Sequence, residues 1–323
     1  MKIVDVFVFC FSFIGSFLLK PYKVKGRSWY CECIFRSIKI TILRSQNKPI
    51  KWLRIQQQTL SKLLPVSDKV AAQSINLAGL SCQYYSTEAI PDWQQLIVYF
   101  HGGGFVMNGG NAYYHYCQML AKATGATVVL LDYRLAPEYR YPIAHNDCFD
   151  MTQALIERYP NAQFQFIGDS AGGALLLATY QRLLAEHRLP SIKNIALISP
   201  WVAPNRMDDS MLNNEAFDYL NHKVLNKWFE AYGEKEQQPL LEQASMNFSF
   251  KDTPPIFIQY SSHEVMVQQI NEFAALGIKK GAEVISDPVD NLFHNFQIMA
   301  LPTREAKQAN QRLVSFLNAN NAL

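Results

Sequence analysis

Short apolar segments alternate with helical segments along most of this 323-residue chain. The apolar segments are rich in β-branched and aromatic residues: QLIVYF (95–100), TVVLLDY (127–133), FQFIG (164–168), IALISPW (195–201), IFIQY (256–260) and, more weakly, EVISD (283–287). Helical patterns lie between them, over 111–123, 144–158, 171–187 and 265–280. Near-continuous apolar strands separated by helices predict an α/β fold, with a mostly parallel sheet covered by helices on both faces.

One interruption of this alternation, between Trp201 and Thr253, suggests how the chain is divided. The interrupting segment is polar and helical, and an insertion between two strands is a candidate lid over a site. We therefore expect a hydrophobic and basic N-terminal segment with cap helices over 1–70, an α/β core over 71–202 and 252–323, and a helical cap insertion over 203–251. The aromatic residues of the insertion are expected either to line a substrate pocket or to form the core of the cap: Phe217, Tyr219, Trp228, Phe229 and Tyr232.

Charge is distributed unevenly along the chain. Residues 1–70 contain 13 Lys and Arg against 3 Asp and Glu, a balance of +10, so the remainder carries −7 to give the net +3. The basic residues alternate with apolar ones, as in WLRIQQQTLSKLL (52–64), which is more typical of a membrane surface or a protein partner than of nucleic acid. A solvated helix face that packs on the body is the other interpretation. We expect no nucleic-acid partner.

An apolar run over residues 3–19 raises the question of targeting. It contains Asp5 and is slightly short of the roughly 20 apolar residues that span a bilayer. Basic residues follow it (Lys20, Lys23, Lys25 and Arg27), so an inserted run would leave the main body on the cytoplasmic side. A membrane anchor and a buried cap helix remain open. A cleaved signal is disfavoured because no small-x-small cleavage site follows. The expected location is the cytoplasm or the cytoplasmic face of a membrane, with association through residues 1–27.

The six cysteines have no pairing pattern: Cys10, Cys31, Cys33, Cys82, Cys117 and Cys148. Their scatter indicates reduced thiols, and no CxxC or His/Cys cluster suggests a zinc site. We expect neither a metal nor an organic cofactor.

The segment FIGDSAGGALLLA (166–178) places a serine between a strand and a helix. Gly168-Asp169-Ser170-Ala171-Gly172 fits G-x-S-x-G, in which a sharp turn exposes the serine hydroxyl and the flanking positions must be small. The following helix directs its N-terminal N–H groups at the reacting centre. Ser170 is therefore the candidate nucleophile.

A nucleophilic serine needs a base, and the base needs an acid that orients it. In hydrolases of this topology the chain order is serine, acid, histidine. The last histidine, His294, follows the final predicted strand, and Glu264 lies four residues beyond IFIQY. Asp287 and Asp290 compete as the acid but lie in the loop of His294 itself, so Glu264 is favoured.

A glycine-rich segment, YFHGGGFVMNGG (99–110), follows the strand that ends at Phe100. Glycines let backbone N–H groups approach a substrate without interference from Cβ. We assign the N–H groups of Gly103, Gly104 and Ala171 to an oxyanion hole, while His101 and Gly102 anchor the loop. The segment fits neither a phosphate-binding P-loop nor G-x-G-x-x-G.

Five motifs in order resemble the hormone-sensitive-lipase-like branch of the α/β hydrolases: HGGG (101–104), DYRLAPE (132–138), YPIAHNDC (141–148), GDSAGG (168–173) and HNF (294–296). The resemblance covers about residues 72–320. It implies hydrolysis of carboxylic esters, with Ser170 as nucleophile, His294 as base and an acid at Glu264, and a cap built from the N-terminal segment and residues near 203–250. The segment HEVMVQQ (263–269) departs from the family's usual acid motif at Gln268 and Gln269.

The sequence thus predicts an esterase or lipase acting on short- to medium-chain acyl esters or lipids through an acyl-enzyme. An acyltransferase or amidase would use the same three side chains, because only the acceptor of the acyl group differs. A non-catalytic receptor on this fold is disfavoured by the presence of His294.

Overall fold

The computed structural model describes residues 26–61, 72–108, 110–204, 206–233 and 245–319. Its strands are β1 (Ala72–Leu77), β2 (Leu80–Tyr85), β3 (Gln95–Phe100), β4 (Thr127–Leu131), β5 (Gln163–Asp169), β6 (Ile192–Ile198), β7 (Ile256–Ser261) and β8 (Val284–Val289). They form one eight-stranded sheet in the order β1-β2-β4-β3-β5-β6-β7-β8. From β4 to β8 neighbouring strands are parallel, whereas β1 and β2, and β2 and β4, pair antiparallel. The predicted α/β class with a mostly parallel sheet is confirmed.

The helices occupy the segments between these strands and at both ends of the described chain. They are α1 (Trp29–Ser45), α2 (Ile50–Ser61), α3 (Asn111–Thr124), α4 (Ile143–Arg158), α5 (Ala171–Ala185), α6 (Asp209–Asn213), α7 (His222–Tyr232), α8 (Val267–Lys279), α9 (Phe296–Met299) and α10 (Arg304–Asn318). The central strands β4 and β5 are buried along almost their whole length. That burial explains why their sequences are continuously apolar rather than alternating.

The sheet begins with a hairpin, β1–β2, that the apolar runs did not reveal. Its two-residue turn at Ala78 and Gly79 has φ values of 50° and 83°, as tight hairpin turns require. Along β1 only Ile75 and Leu77 are buried, so the strand alternates instead of forming a continuous apolar run. Strands at the edge of a sheet bury one face only, and their signal in the sequence is therefore weaker.

The parallel strands place their carboxyl ends along one edge of the sheet, where loops build binding sites in α/β proteins. The segment HGGG follows β3, Ser170 follows β5, Glu264 follows β7 and His294 follows β8. Four segments that are far apart in the sequence therefore converge on this edge.

The N-terminal helices and the segment that follows β6 contact one another. Lys39 of α1 donates hydrogen bonds to the carbonyl oxygens of Glu215 and Ala216, at 2.6 and 2.9 Å. In return, Lys227 of α7 donates to the carbonyl oxygens of Ser45 and Gln46 at the end of α1, at 3.0 and 3.1 Å. We use the term cap below for α1, α2 and the described residues between 203 and 233.

The apolar run over 3–19, with Lys20, Lys23 and Lys25, lies outside the described residues. Within the described ranges, none of the helices combines the length and apolar character needed to cross a bilayer. Arg27, one of the basic residues that follow the apolar run, is buried in the fold. Its side chain is 1% exposed and pairs with Glu32 at 3.0 Å. The five described cysteines are buried with free thiols.

Candidate active site

Ser170 occupies a strained turn between β5 and α5. Its backbone has φ 49° and ψ −124°, a conformation that L-residues rarely adopt and that costs about 1–3 kcal/mol. Its own N–H donates to the carbonyl oxygen of Ile198 at 3.0 Å, and its carbonyl oxygen accepts from Gly173 at 3.0 Å and Trp201 at 2.9 Å. These bonds fix a sharp turn between strand and helix, as G-x-S-x-G predicts, and Ser170 in this turn is 5% exposed.

The glycines on either side of Ser170 are sterically required. A Cβ on Gly168 would lie 2.7 Å from the carbonyl oxygen of Gly172. A Cβ on Gly172 would overlap the carbonyl oxygen of Phe100 and lie 2.6 Å from that of His101. Because all of these atoms belong to the backbone, neither position could accommodate a side chain without displacing the turn or the end of β3.

Asp169, immediately before Ser170, is fully buried and joins three loops. Its Oδ1 accepts hydrogen bonds from Tyr99 at 3.0 Å and from the N–H of Gly102 at 2.9 Å. Its Oδ2 accepts from the hydroxyl of Tyr113 and the side-chain amide of Asn295, both at 2.6 Å. Burial raises the pKa of this carboxyl to about 6, although the donors around it favour the ionised form.

His294 and Glu264 form a hydrogen-bonded pair in the interior. The Nδ1 of His294 lies 3.2 Å from Oε1 of Glu264, and the two residues are 1% and 0% exposed. The other carboxylate oxygen, Oε2, accepts from the hydroxyl of Ser199 at 2.6 Å and the N–H of Ser261 at 3.0 Å. Since both oxygens are occupied by donors, the carboxylate is held in one orientation toward the imidazole.

The two aspartates that competed with Glu264 have other partners. Asp290 accepts a hydrogen bond from Ser262 at 2.8 Å. Asp287 accepts from Gln259 at 2.6 Å and pairs with Arg312 at 2.8 Å. Of the three carboxylates weighed from the sequence, the structure brings Glu264 to His294.

The charge around His294 favours a protonated imidazole. Burial by itself lowers the pKa of His294, but the hydrogen bond and negative charge of Glu264, with the charges of Asp218 and Asp169, raise it above the ordinary value. The pair can therefore stabilise an imidazolium formed by uptake of a proton, which is what a serine's general base needs.

The loop after β3 presents glycines beside this centre. Gly103 and Gly104 have φ values of 106° and 61°. A Cβ on Gly103 would overlap the carbonyl oxygen of Met107, and one on Gly104 would overlap the indole of Trp228. Among the described residues, the N–H groups of Gly103, Gly104 and Ala171 donate no hydrogen bond. They remain available to a bound anion.

His101 is placed as an anchor of this loop. Its Nδ1 lies 2.7 Å from the carbonyl oxygen of Gly102, and its ring stacks on Tyr133 with centroids 4.2 Å apart. Burial lowers the pKa of His101 to about 4, so the ring is neutral at neutral pH. A neutral, stacked ring suits a structural role.

Four of the five aromatic residues of the insertion are buried, whereas Phe217 is 39% exposed and takes neither of the expected roles. Phe229 and Tyr232 are fully buried, and the Tyr232 ring stacks on Phe105 of the loop after β3 with centroids 4.2 Å apart, so Tyr232 packs the cap against the body. Trp228 faces Gly104, and the Tyr219 ring lies 6.1 Å from that of His294. These last two rings border the site.

Three residues of the site carried no assignment from the sequence. The hydroxyl of Ser199 donates a hydrogen bond to Glu264 and accepts one from the N–H of Asn295 at 3.2 Å, and so links the two residues. Asn295 itself lies within the quoted HNF motif, and Ser199 lies in the carboxyl-terminal half of the predicted strand IALISPW (195–201), so both had a positional signal. Asp218 had none, because it belongs to an insertion without strand or motif.

The chain is similar to a protein-family model and to known esterases. A family model described as the alpha/beta hydrolase fold matches residues 97–298. An esterase from Acinetobacter venetianus is 30% identical over 268 residues, which are 82% of this chain and 87% of that protein. The versiconal hemiacetal acetate esterase of Emericella nidulans is 28% identical over 202 residues, which are 59% of this chain and 70% of that protein.

Solved structures agree on the architecture. The crystal structure of an esterase from the bacterial hormone-sensitive lipase family superimposes with a TM-score of 0.77 at 24% identity. The match covers 88% of this chain and 97% of the esterase. At this identity the likeness concerns the fold.

Proposed function

The chain belongs to the alpha/beta hydrolase fold family and is an ester-cleaving serine hydrolase, and from this premise we propose that Ser170 is the nucleophile that forms the acyl-enzyme. His294 is its general base and Glu264 the acid that orients the base. The motifs place the protein in the hormone-sensitive-lipase-like branch, as a carboxylesterase or lipase.

One observation carries the residue assignment. The His294–Glu264 pair lies in the loops after β8 and β7, and the Asn295 side chain bonds to Asp169 at 2.6 Å, directly beside Ser170. The residue after the base is thereby tied to the residue before the nucleophile. This contact supports a single site built from all three side chains.

In the proposed mechanism the Ser170 hydroxyl attacks the ester carbonyl carbon while His294 takes its proton. The imidazolium then gives that proton to the leaving alkoxide, and the alcohol departs. In the second half, His294 takes a proton from water as the water oxygen attacks the carbonyl carbon of the acyl-enzyme. When the ester bond to Ser170 breaks, the imidazolium gives that proton to Oγ of Ser170, and the carboxylic acid leaves. Glu264 keeps Nδ1–H of the imidazole directed at its own carboxylate, so that Nε2 is the nitrogen that exchanges the proton.

The negative oxygen of each tetrahedral intermediate is held by the N–H groups of Gly103, Gly104 and Ala171. Each such donor is typically worth about 3 kcal/mol in the transition state. The positive φ values of both glycines and the steric limits on their Cβ positions support this role.

We propose acyl esters of short to medium chain as the substrates. Trp228 stands over Gly104 and Tyr219 stands beside His294, so bulky rings border the space next to the reacting centre. The similarity to an acetate esterase points in the same direction.

The N-terminal segment suggests where the enzyme works. We propose that the segment before Arg27 associates with a membrane surface and that the body lies on its cytoplasmic side. The apolar run over 3–19 and the lysines that follow it support attachment. Apolar side chains of α1 are also partly exposed next to this segment, including Trp29 at 39% and Tyr30 at 42%.

The direct test of the nucleophile is Ser170→Ala. We expect this variant to lose nearly all turnover of p-nitrophenyl butyrate and all labelling by a fluorophosphonate, with an unchanged circular-dichroism melting curve. Ser262→Ala is the matched control, because it removes a serine hydroxyl from the loop after β7 whose partners among the described residues are His263 and Asp290. Full activity in Ser170→Ala would reject the assignment.

A further inference from the structure

Asp218 is a cap residue whose carboxylate is buried against the catalytic loops. It is 0% exposed and lies just before α7. Its Oδ2 accepts a hydrogen bond from the N–H of Val265 at 2.9 Å, and its Oδ1 accepts from the N–H of His294 at 3.2 Å. Oδ1 also accepts from the N–H of Tyr219 at 2.7 Å. All of these partners are backbone donors.

The two long-range partners belong to different loops. Val265 directly follows Glu264, in the loop after β7, whereas His294 lies in the loop after β8. One carboxylate therefore spans the backbone of the acid and the backbone of the base. None of the core residues that were identified from the sequence joins these two loops through backbone N–H groups.

Other cap residues reinforce the same attachment. Asn214 donates its side-chain amide to the carbonyl oxygen of Glu264 at 3.1 Å. Arg27 donates to the carbonyl oxygens of Asn291 at 2.9 Å and Leu292 at 3.2 Å, and also to that of Phe217 at 3.2 Å. Both loops are thus held from the cap side as well as by the sheet.

We propose that Asp218 is a positioning residue, through which docking of the cap sets the distance between Glu264 and His294. This inference rests on the proposed function of those two residues and adds to it a dependence of turnover on the cap. The cap then acts on the chemical step, in addition to bordering the substrate.

The physical basis is the cost of unpaired buried donors. Without the carboxylate, the N–H groups of Val265 and His294 would be left in the interior without an acceptor, and the loops would shift to find one. The Glu264–His294 contact at 3.2 Å depends on both loops, so a shift of either changes it. Small misplacements of catalytic groups are costly because the rate depends steeply on their geometry.

Asp218 also contributes to the charge around the imidazole. The groups that face His294 are Glu264 from the acid loop, Asp169 from the nucleophile turn, Asp218 from the cap and the neutral phenol of Tyr219. Lys39 is the cation that interacts with Asp218 from α1. A negative charge stabilises the imidazolium, so removal of Asp218 lowers the pKa of His294.

The test is the Asp218→Asn variant of the full chain, which keeps the shape of the side chain but presents an amide NH₂ either to the N–H of Val265 or to the N–H groups that Oδ1 accepts, that of His294 among them. We expect kcat for p-nitrophenyl butyrate to fall by a factor of about 10², as for a misplaced catalytic group, with KM within about threefold. We also expect the acidic limb of the kcat/KM profile to move to lower pH. If Asp218 only stabilised the fold, folded Asp218→Asn would keep the wild-type kcat and the wild-type position of the acidic limb of the kcat/KM profile.

Asp147→Asn is the matched control. Asp147 is also a buried carboxylate that accepts a backbone N–H, from Arg134 at 2.9 Å, and within the described chain its other hydrogen bonds come from the Arg134 guanidinium and not from a catalytic loop. It should lower the melting temperature while leaving kcat and the pH profile at wild-type values. Wild-type kcat and an unmoved limb in folded Asp218→Asn would overturn the proposal.

Should Asp218→Asn fail to fold, Asn214→Ala tests the same coupling at a half-buried position. Loss of its bond to the Glu264 carbonyl should lower kcat several-fold with KM unchanged, and an unaltered kcat would reject the idea.

Ser170→Ala is assayed in parallel. An inactive Ser170→Ala beside a fully active Asp218→Asn overturns this inference alone, whereas an active Ser170→Ala overturns the proposed function.

Discussion

The side-chain amide of Asn295 donates a 2.6 Å hydrogen bond to Oδ2 of Asp169, and so connects the residue after His294 to the residue before Ser170. The same carboxylate accepts the N–H of Gly102 in the glycine-rich loop. Three loops that carry different parts of the chemistry therefore share one buried anion. The relative positions of these loops depend on the side chain of Asp169, which has no part in the proposed chemical steps.

Removal of this link should reduce turnover without removing any of the three catalytic groups. Asn295 has φ 51°, where glycine fits without strain, so Asn295→Gly deletes the amide and keeps the backbone conformation. We expect kcat to fall by about tenfold or more, because a hydrogen bond to a charged group is worth about 1.5–3 kcal/mol. Steady-state kinetics with p-nitrophenyl butyrate measures the change.

Asn291→Gly provides the control for that experiment. Asn291 lies in the same loop with φ 60°, so the substitution replaces an asparagine in the same left-handed conformation. Its kcat should stay near that of the wild type. Equal losses in the two variants would mean that general loosening of the loop, rather than the bond to Asp169, limits turnover.

The acid assignment predicts a large effect of Glu264→Gln. An amide cannot carry the charge that stabilises the imidazolium, and its NH₂ can face Nδ1–H, so kcat should fall by about 10³–10⁴-fold. Asp290→Asn, in the neighbouring loop, should lose little because Asp290 bonds to Ser262. If Asp290→Asn were the inactive variant, Asp290 and not Glu264 would be the acid.

The pH dependence of activity follows from the charges that surround His294. Only the neutral imidazole can accept the serine proton, and carboxylates raise the pKa of His294 above the ordinary 6.5. The value of kcat/KM should therefore rise with pH through a midpoint above 6.5. A profile measured from about pH 5 to pH 9 tests this. A midpoint at or below that of free histidine would show that burial outweighs the carboxylates.

Deletion of residues 1–20 tests the membrane proposal. If the apolar run attaches the enzyme, the truncated protein should move from the membrane pellet to the supernatant and should lose binding to anionic phospholipid vesicles. Turnover of a water-soluble ester should be retained, because Arg27 and its contacts with the loop of His294 remain. Unchanged partitioning would leave the run as a cap helix.

Much of the fold was predictable because its signal is local. Strands such as β4 and β5 are buried along almost their whole length, so each is an apolar run, and Gly168 and Gly172 mark the tight turn that carries Ser170. The hairpin β1–β2 was missed because its strands are half exposed. Its turn contains only one glycine, Gly79.

The contacts that hold the site together were harder to predict, for a physical reason. Asp218 is separated from Val265 by 47 residues and from His294 by 76, and its role lies in accepting backbone N–H groups, which every residue but proline has. No residue type at the partner positions could therefore signal the bond. Arg27 illustrates the same difficulty: its neighbours in sequence suggested a membrane flank, yet its guanidinium is buried against carbonyl oxygens of the loop before His294.

The indole of Trp228 leaves no room for a Cβ on Gly104, so a cap helix and the glycine-rich loop have complementary surfaces. A chimera that joins the cap of one relative to the body of another combines two surfaces that do not match. For this protein, we expect a chimera to keep the substrate preference of one parent only if Trp228 and the HGGG segment both come from that parent.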